Sequence, residues 1–236
     1  MSTIIHQAKD RGHANHGWLN AHHSFSFAQW YDPGRLQFGM LRVLNDDIVA
    51  AGEGFGMHPH NDMEIITIIH SGALEHKDNM GNGSVIRPGD VQVMSAGTGV
   101  FHSEFNPSAD DATSLFQLWI FPKEKGIKPG YDQKTFPPAE RKNKIKIVAS
   151  GFNKEDELYI HQDAMISLGN LDKGKTIKYK MALPENGAYL MVINGQVDID
   201  GKILYRRDAI GISNVQSFEI NALEESDFMI VDVPMN

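Results

Sequence analysis

Two pairs of residues stand out by type and spacing. His58 and His60 lie two apart in Gly52-Glu53-Gly54-Phe55-Gly56-Met57-His58-Pro59-His60, and His102 and Glu104 lie two apart in Phe101-His102-Ser103-Glu104-Phe105. Side chains alternate between the faces of an extended chain, so each pair projects to one side. If the two segments adjoin, three imidazoles and one carboxylate converge. Such a set suits one divalent ion of Fe, Mn, Co, Ni, Cu or Zn and leaves coordination positions open for water or substrate. The chain has no cysteine, which excludes thiolate sites, iron–sulfur clusters, disulfides and cysteine nucleophiles. Were the strand regular from His58 onward, Glu64 would share the face of the two histidines. Spacing therefore leaves both Glu64 and Glu104 open as the carboxylate of the site.

The elements that must position these groups are short strands. Met63-Glu64-Ile65-Ile66-Thr67-Ile68-Ile69 is rich in β-branched residues and stops at Ser71-Gly72; Val91 to Met94, Leu115 to Ile120 and Tyr189 to Ile193 have the same texture. Breakers recur at Asp32-Pro33-Gly34, Gly81-Asn82-Gly83, Pro88-Gly89-Asp90, Asn194-Gly195 and Asp200-Gly201. Long amphipathic helices are not evident, and an all-β sandwich or barrel is expected. Between Phe121 and Lys146 the prolines 122, 129, 137 and 138 and a run of charge interrupt the pattern. This divides the chain into residues 1–130, a linker 131–144 and residues 145–236. Ile69-His70-Ser71-Gly72 leading to Pro88-Gly89-Asp90 is echoed by Ile193-Asn194-Gly195 leading to Arg207-Asp208, so a duplicated β-barrel is expected.

The 236 residues carry 22 Lys and Arg against 30 Asp and Glu, a net charge of −8. That balance argues against nucleic acid or an anionic membrane as partner. No segment has the ~20 apolar residues of a membrane span, the N-terminus lacks a signal-like apolar run, and a cytoplasmic location is expected.

The first stretch resembles the first cupin motif, with Gly52, His58, His60, Glu64 and Gly72 at its positions. The second cupin motif is matched by Gly89, Gly97, His102 and Asn106, with Ser95 where proline is usual and two extra residues before His102. That departure is typical of the pirins. Arg11-Gly12-His13, His16-Gly17-Trp18, His23-Ser24-Phe25-Ser26-Phe27, Tyr31-Asp32-Pro33, Leu41 to Asp47, His58-Pro59-His60, Ser95-Ala96-Gly97-Thr98-Gly99 and His102-Ser103-Glu104 extend the likeness over the N-terminal half. The chain thus resembles a bacterial pirin of the quercetin 2,3-dioxygenase type. The resemblance implies two cupin (jelly-roll) barrels packed together, a metal held by His58, His60, His102 and Glu104, with Fe(II) first in order, and Glu64 as an outer or alternative ligand. It also implies a small aromatic substrate such as quercetin opened with O2, with Glu104 or Glu64 as base. A non-catalytic pirin that modulates a protein partner is the alternative.

Aligning the halves puts Met181, Leu183 and Gly187 opposite His58, His60 and Glu64, and Ile220 and Ala222 opposite His102 and Glu104. None of these binds a metal, so the C-terminal barrel is expected to be degenerate. Among the remaining histidines, His13, His16, His22 and His23 are expected to hydrogen-bond at a domain interface. His70 and His76, flanking the Gly72 turn, are candidates to support a ligand from behind, and His161 is expected to be structural. Phe25, Phe27, Phe38, Phe55 and Trp119 are expected to pack in the core, with an aromatic substrate pocket as the other use for them.

Overall fold

The computed structural model describes residues 1–152 and 155–236. The all-β pair of barrels expected from the sequence is what forms. Among the described residues each half is built around one seven-stranded and one four-stranded sheet, the large sheet of the second half counting the strand Ser2–His6 among its seven. In the first half the large sheet runs, in spatial order, Gly130–Thr135, Asp90–Ser95, Glu64–Ser71, Thr113–Ile120, Leu41–Val49, Leu19–His23 and Gly12–Asn15. The small sheet runs Gly54–His60, Val100–Phe105, Leu74–Asp78 and Gly83–Ile86. Among the described residues no helix is long and apolar enough to cross a membrane.

Alternation along the central strands explains why the halves stay together. In Glu64–Ser71 the side chains of Ile66 and Ile68 join a core shared by both halves, whereas Ile65 and Ile69 face into the first barrel. A strand buried on both faces reads as a nearly continuous apolar run, as Ile65 to Ile69 does around the single Thr67. Leu44, Phe116 and Leu118 meet Tyr189, Met191, Met229 and Val231 across the seam, so the two large sheets share one hydrophobic core. The interior of the second barrel is filled by Tyr179, Met181, Leu190, Val192, Phe218, Ile220 and Ala222. Three of the residues aligned opposite the candidate ligands, Met181, Ile220 and Ala222, are thus packing material.

Two strands fall outside the division drawn from the sequence. Gly130–Thr135, at the start of the expected linker, pairs antiparallel with Asp90–Ser95 and closes the edge of the first sheet. Its polar texture is that of an edge strand, which charged and polar residues protect from further pairing. Ser2–His6 leaves its own half and pairs with Ala209–Ser213 in the second. His6 anchors this exchange through an Nδ1 contact of 2.9 Å with the hydroxyl of buried Tyr189.

Candidate metal centre

The strand Gly54–His60 lies antiparallel to Val100–Phe105, with His102 directly opposite His58. Cross-strand partners share a face, so the ring centroids of His58 and His102 come within 4.4 Å, and His60 lies 4.9 Å from each. One nitrogen of each of the three rings falls within a 4.8 Å sphere of approach. A register shift between His102 and Glu104 then brings Glu104 opposite Phe55. Gly54 makes this approach possible, since a Cβ there would stand 2.2 Å from the Glu104 carbonyl oxygen. On its other side Glu104 is opposite His76, and these two form a second close group with His102.

The donor set fits a cation. Nδ1 of His58 donates to the Gly56 carbonyl at 2.7 Å, which leaves the Nε2 lone pair free. Nε2 of His102 is buried and has no hydrogen-bond partner. Burial, then the neighbouring His58, holds the pKa of His60 at about 4. Burial, then His58, His60 and His76, holds His102 at about 2. Neutral imidazoles are what a metal requires, and an orphaned buried nitrogen costs stability unless something accepts its lone pair. Glu104 is fully enclosed, and burial raises its pKa against the opposing hydrogen bonds from Gln117. A cation alongside would reverse that preference.

Behind the ligands runs a chain of fixed donors. Trp119 Nε1 donates to Gln117 Oε1 at 3.2 Å, which turns the Gln117 amide so that Nε2 donates to both Glu104 oxygens at 2.9 and 3.2 Å. His76 is completely buried, lies with Nδ1 3.5 Å from Nδ1 of His102, and places Nε2 3.2 Å from Asp78. Its ring stacks on Tyr131 at 4.7 Å. The support expected of His70 or His76 therefore comes from His76; His70 lies at the seam, its ring 6.5 Å from that of Phe116.

A cavity of about 170 Å³ opens beside His58, His60 and Glu104, walled by Phe27, Phe55 and Trp119 and floored by Asn45, Asp47 and Gln117. The aromatic residues thus divide by face: these three line the cavity, whereas Phe25 and Phe38 pack on Tyr189 in the shared core. Of the N-terminal histidines, His23 lines the cavity and meets Asn45 Oδ1 at 2.9 Å, while His13 and His22 stack on the outer hairpin. Asp47 has one carboxyl oxygen buried without a partner, and burial, then Asp46 and Glu104, pushes its pKa up to about 8.

Glu64 is elsewhere. The chain turns at Asn61 to Met63, with Asp62 at a left-handed φ of 46°, and this breaks the alternation counted from His58. The Glu64 carboxylate accepts from the Ser95 hydroxyl at 2.7 Å and from the backbone N–H of His161, in the second half, at 3.2 Å. It belongs to neither close group of potential ligands. Sequence reasoning missed Asn45, Asp47 and Gln117. Only the alternation of the strands Leu41–Val49 and Thr113–Ile120 would have pointed them inward.

Comparison with known proteins places the fold among its relatives. The Pirin family model matches residues 5–120, and the model of the quercetinase C-terminal cupin domain matches residues 147–233. A quercetin 2,3-dioxygenase of Escherichia coli strain K12 is 41% identical over 230 residues, covering 98% of each chain. A pirin-like protein of Caulobacter vibrioides is 44% identical over 222 residues, covering 94% of this chain and 95% of that protein. The crystal structure of the bacterial pirin YhhW from Escherichia coli in complex with nickel(II) superposes with a TM-score of 0.93 at 40% identity, covering 99% of both chains.

Proposed function

The chain belongs to the pirin family, and on that premise we propose that it is a metal-dependent dioxygenase that opens a flavonol-like phenol such as quercetin with O2. The observation that carries this reading is the imidazole cluster opening onto an aromatic-walled cavity, with one buried carboxylate at its edge. His58, His60 and His102 hold the ion through ring nitrogens, and Glu104 completes the set. Fe(II) is our choice among the divalent first-row ions, and the cytoplasm our choice of compartment.

The bound ion supplies Lewis acidity that lowers the pKa of an adjacent enolic hydroxyl, together with the redox chemistry that dioxygen requires. The protein does the rest. Phe27, Phe55 and Trp119 offer flat apolar faces to a planar aromatic ring and keep water from it. Glu104, enclosed beside the histidines, takes the hydroxyl proton on a carboxylate oxygen. Gln117 holds that carboxylate in place, and Trp119 holds Gln117. Glu64, bonded at the seam, has no part in the scheme.

The test is to load the protein separately with Fe(II), Mn(II), Co(II), Ni(II), Cu(II) and Zn(II) and follow quercetin loss under air with carbon monoxide detection. Metal-dependent turnover with carbon monoxide release, abolished in His102→Ala, is expected. Confirmed metal binding with no turnover for any ion would overturn it.

A further inference from the structure

On the opposite face of the large sheet from the metal cavity, a cleft of about 570 Å³ opens at the seam between the halves. Lys9 and Arg11 reach it from the turn that follows the exchanged strand Ser2–His6, Asp46 from the first sheet, and Arg206 and Arg207 from the second half. Four cations therefore meet one carboxylate on the wall, in a chain whose net charge is −8.

The ion pairing at its base is incomplete. Arg207 Nε stands 2.9 Å and Arg11 Nη2 3.4 Å from the same atom, Asp46 Oδ2. The side chains of Arg11 and Arg207 are only 4% and 6% exposed. A single carboxylate neutralises one guanidinium and leaves the other uncompensated, an arrangement that burial penalises strongly. The Nε–H group of Arg11 also lacks an acceptor. Nearby carboxylates are already engaged: Asp208 accepts from the backbone N–H of Ala8 and Tyr205, and Asp227 from Asn170. Arg207 is fixed by a 2.7 Å bond from Nη1 to the Ile193 carbonyl and by the Phe116 ring 4.7 Å beneath it, and its backbone takes a φ of 68° that side chains rarely adopt. His22 and His70 complete the wall. Their pKa values are lowered by burial and then by Arg11 and Arg207 respectively, so at neutral pH they add N–H donors and no charge.

We propose that this seam cleft is a binding site for a small phosphate-bearing anion, held at its base by Arg11 and Arg207 and covered by Lys9 and Arg206. Paired guanidinium forks match tetrahedral oxyanions, and Lys9 and Arg206 are exposed at the rim, where they can close on a ligand after entry. The site is independent of the metal and of the oxygenase reading.

Isothermal titration of the metal-loaded protein with inorganic phosphate, and in parallel with glycerol phosphate, at ionic strength held constant with chloride, tests it. Saturable one-to-one binding is expected, weakened at least about tenfold in Lys9→Glu/Arg206→Glu, a loss of about 1.4 kcal/mol or more. Tighter binding of glycerol phosphate would identify a phosphate ester as the natural occupant, and tighter binding of the free ion would identify inorganic phosphate. Arg206→Ala, which alters one exposed side chain, serves if the double variant folds poorly, and unchanged metal affinity checks its fold. Absence of saturable binding to either anion, or equal binding by wild type and variants, would overturn the proposal.

Discussion

Replacing Glu104 and Glu64 one at a time by glutamine separates two carboxylates that sequence spacing leaves equivalent. Both substitutions keep shape and one accepting oxygen, remove the charge and turn the other oxygen into an amide donor. Structural metal sites bind with roughly 10–16 kcal/mol, so four donors contribute on the order of 3 kcal/mol each. Glu104 shares a close group with His102, one of the three converging imidazoles. Glu104→Gln should therefore weaken divalent metal binding by about 100-fold. Gln117 can still donate to the new amide oxygen, so the fold should survive. Glu64 points across the sheet to Ser95 and His161, and a glutamine oxygen can accept both of those hydrogen bonds. Glu64→Gln should leave metal affinity unchanged. Competition against a chromophoric chelator measures both affinities, with near-UV circular dichroism as the check on folding. Metal retained by Glu104→Gln and lost by Glu64→Gln would refute the assignment, and equal losses would show that the seam and the site are not separable.

His76→Gln removes the ring behind His102 without replacing a proposed ligand, and a loss of about 10–100-fold in metal affinity is expected in the same competition assay. Without metal, His6 and His60 have folded pKa values of about 4 and His102 about 2, all below the unfolded value of 6.5. The unfolded chain then binds more protons, so stability present above pH 6.5 should be lost progressively as pH falls through those values. Urea midpoints of the metal-free protein across that range report it, and a flat profile would count against buried neutral imidazoles. Asp47 has the opposite sign: its folded pKa of about 8 exceeds the unfolded 3.8, so its contribution is full at low pH and declines as pH rises toward 8. Asp47→Asn should accordingly raise the urea midpoint of the metal-free protein near pH 8 relative to wild type and change it little near pH 4.

The three imidazoles were legible because strand alternation is local. His58, His60 and His102 each needed only a period of two and a neighbouring strand. Glu64 was misleading for the same reason: one left-handed residue, Asp62, resets the period, and nothing in its neighbours announces that. The two-barrel architecture could be read from recurring turns and from the echo between halves. The exchange of Ser2–His6 could not, since its partner Ala209–Ser213 lies some two hundred residues away and pairing at that range leaves no local trace. Gly130–Thr135 carries little apolar signal because an edge strand does not need one. Gln117 and Asp47 looked like ordinary polar residues until the sheet faces were known.

Those faces explain why half of the chain forms a barrel with an apolar interior. Asn45 and Asp47 point into the metal cavity, and Asp46 between them points to the arginines at the seam. Ile65 and Trp119 serve the first barrel, while Ile66 and Leu118 serve the shared core. A slip of one residue in any of these strands would carry every cavity side chain to the seam and every seam side chain into the cavity. The register is resisted on the seam side by the close fit of Leu44, Ile66, Phe116 and Leu118 against Tyr189, Met191 and Met229. The second barrel thus helps to fix the inner face of the sheet by packing its outer face. The polar groups of the candidate site are therefore held in register from both sides, by this seam core and by the apolar clusters around Leu115 and Ile65 inside the first barrel.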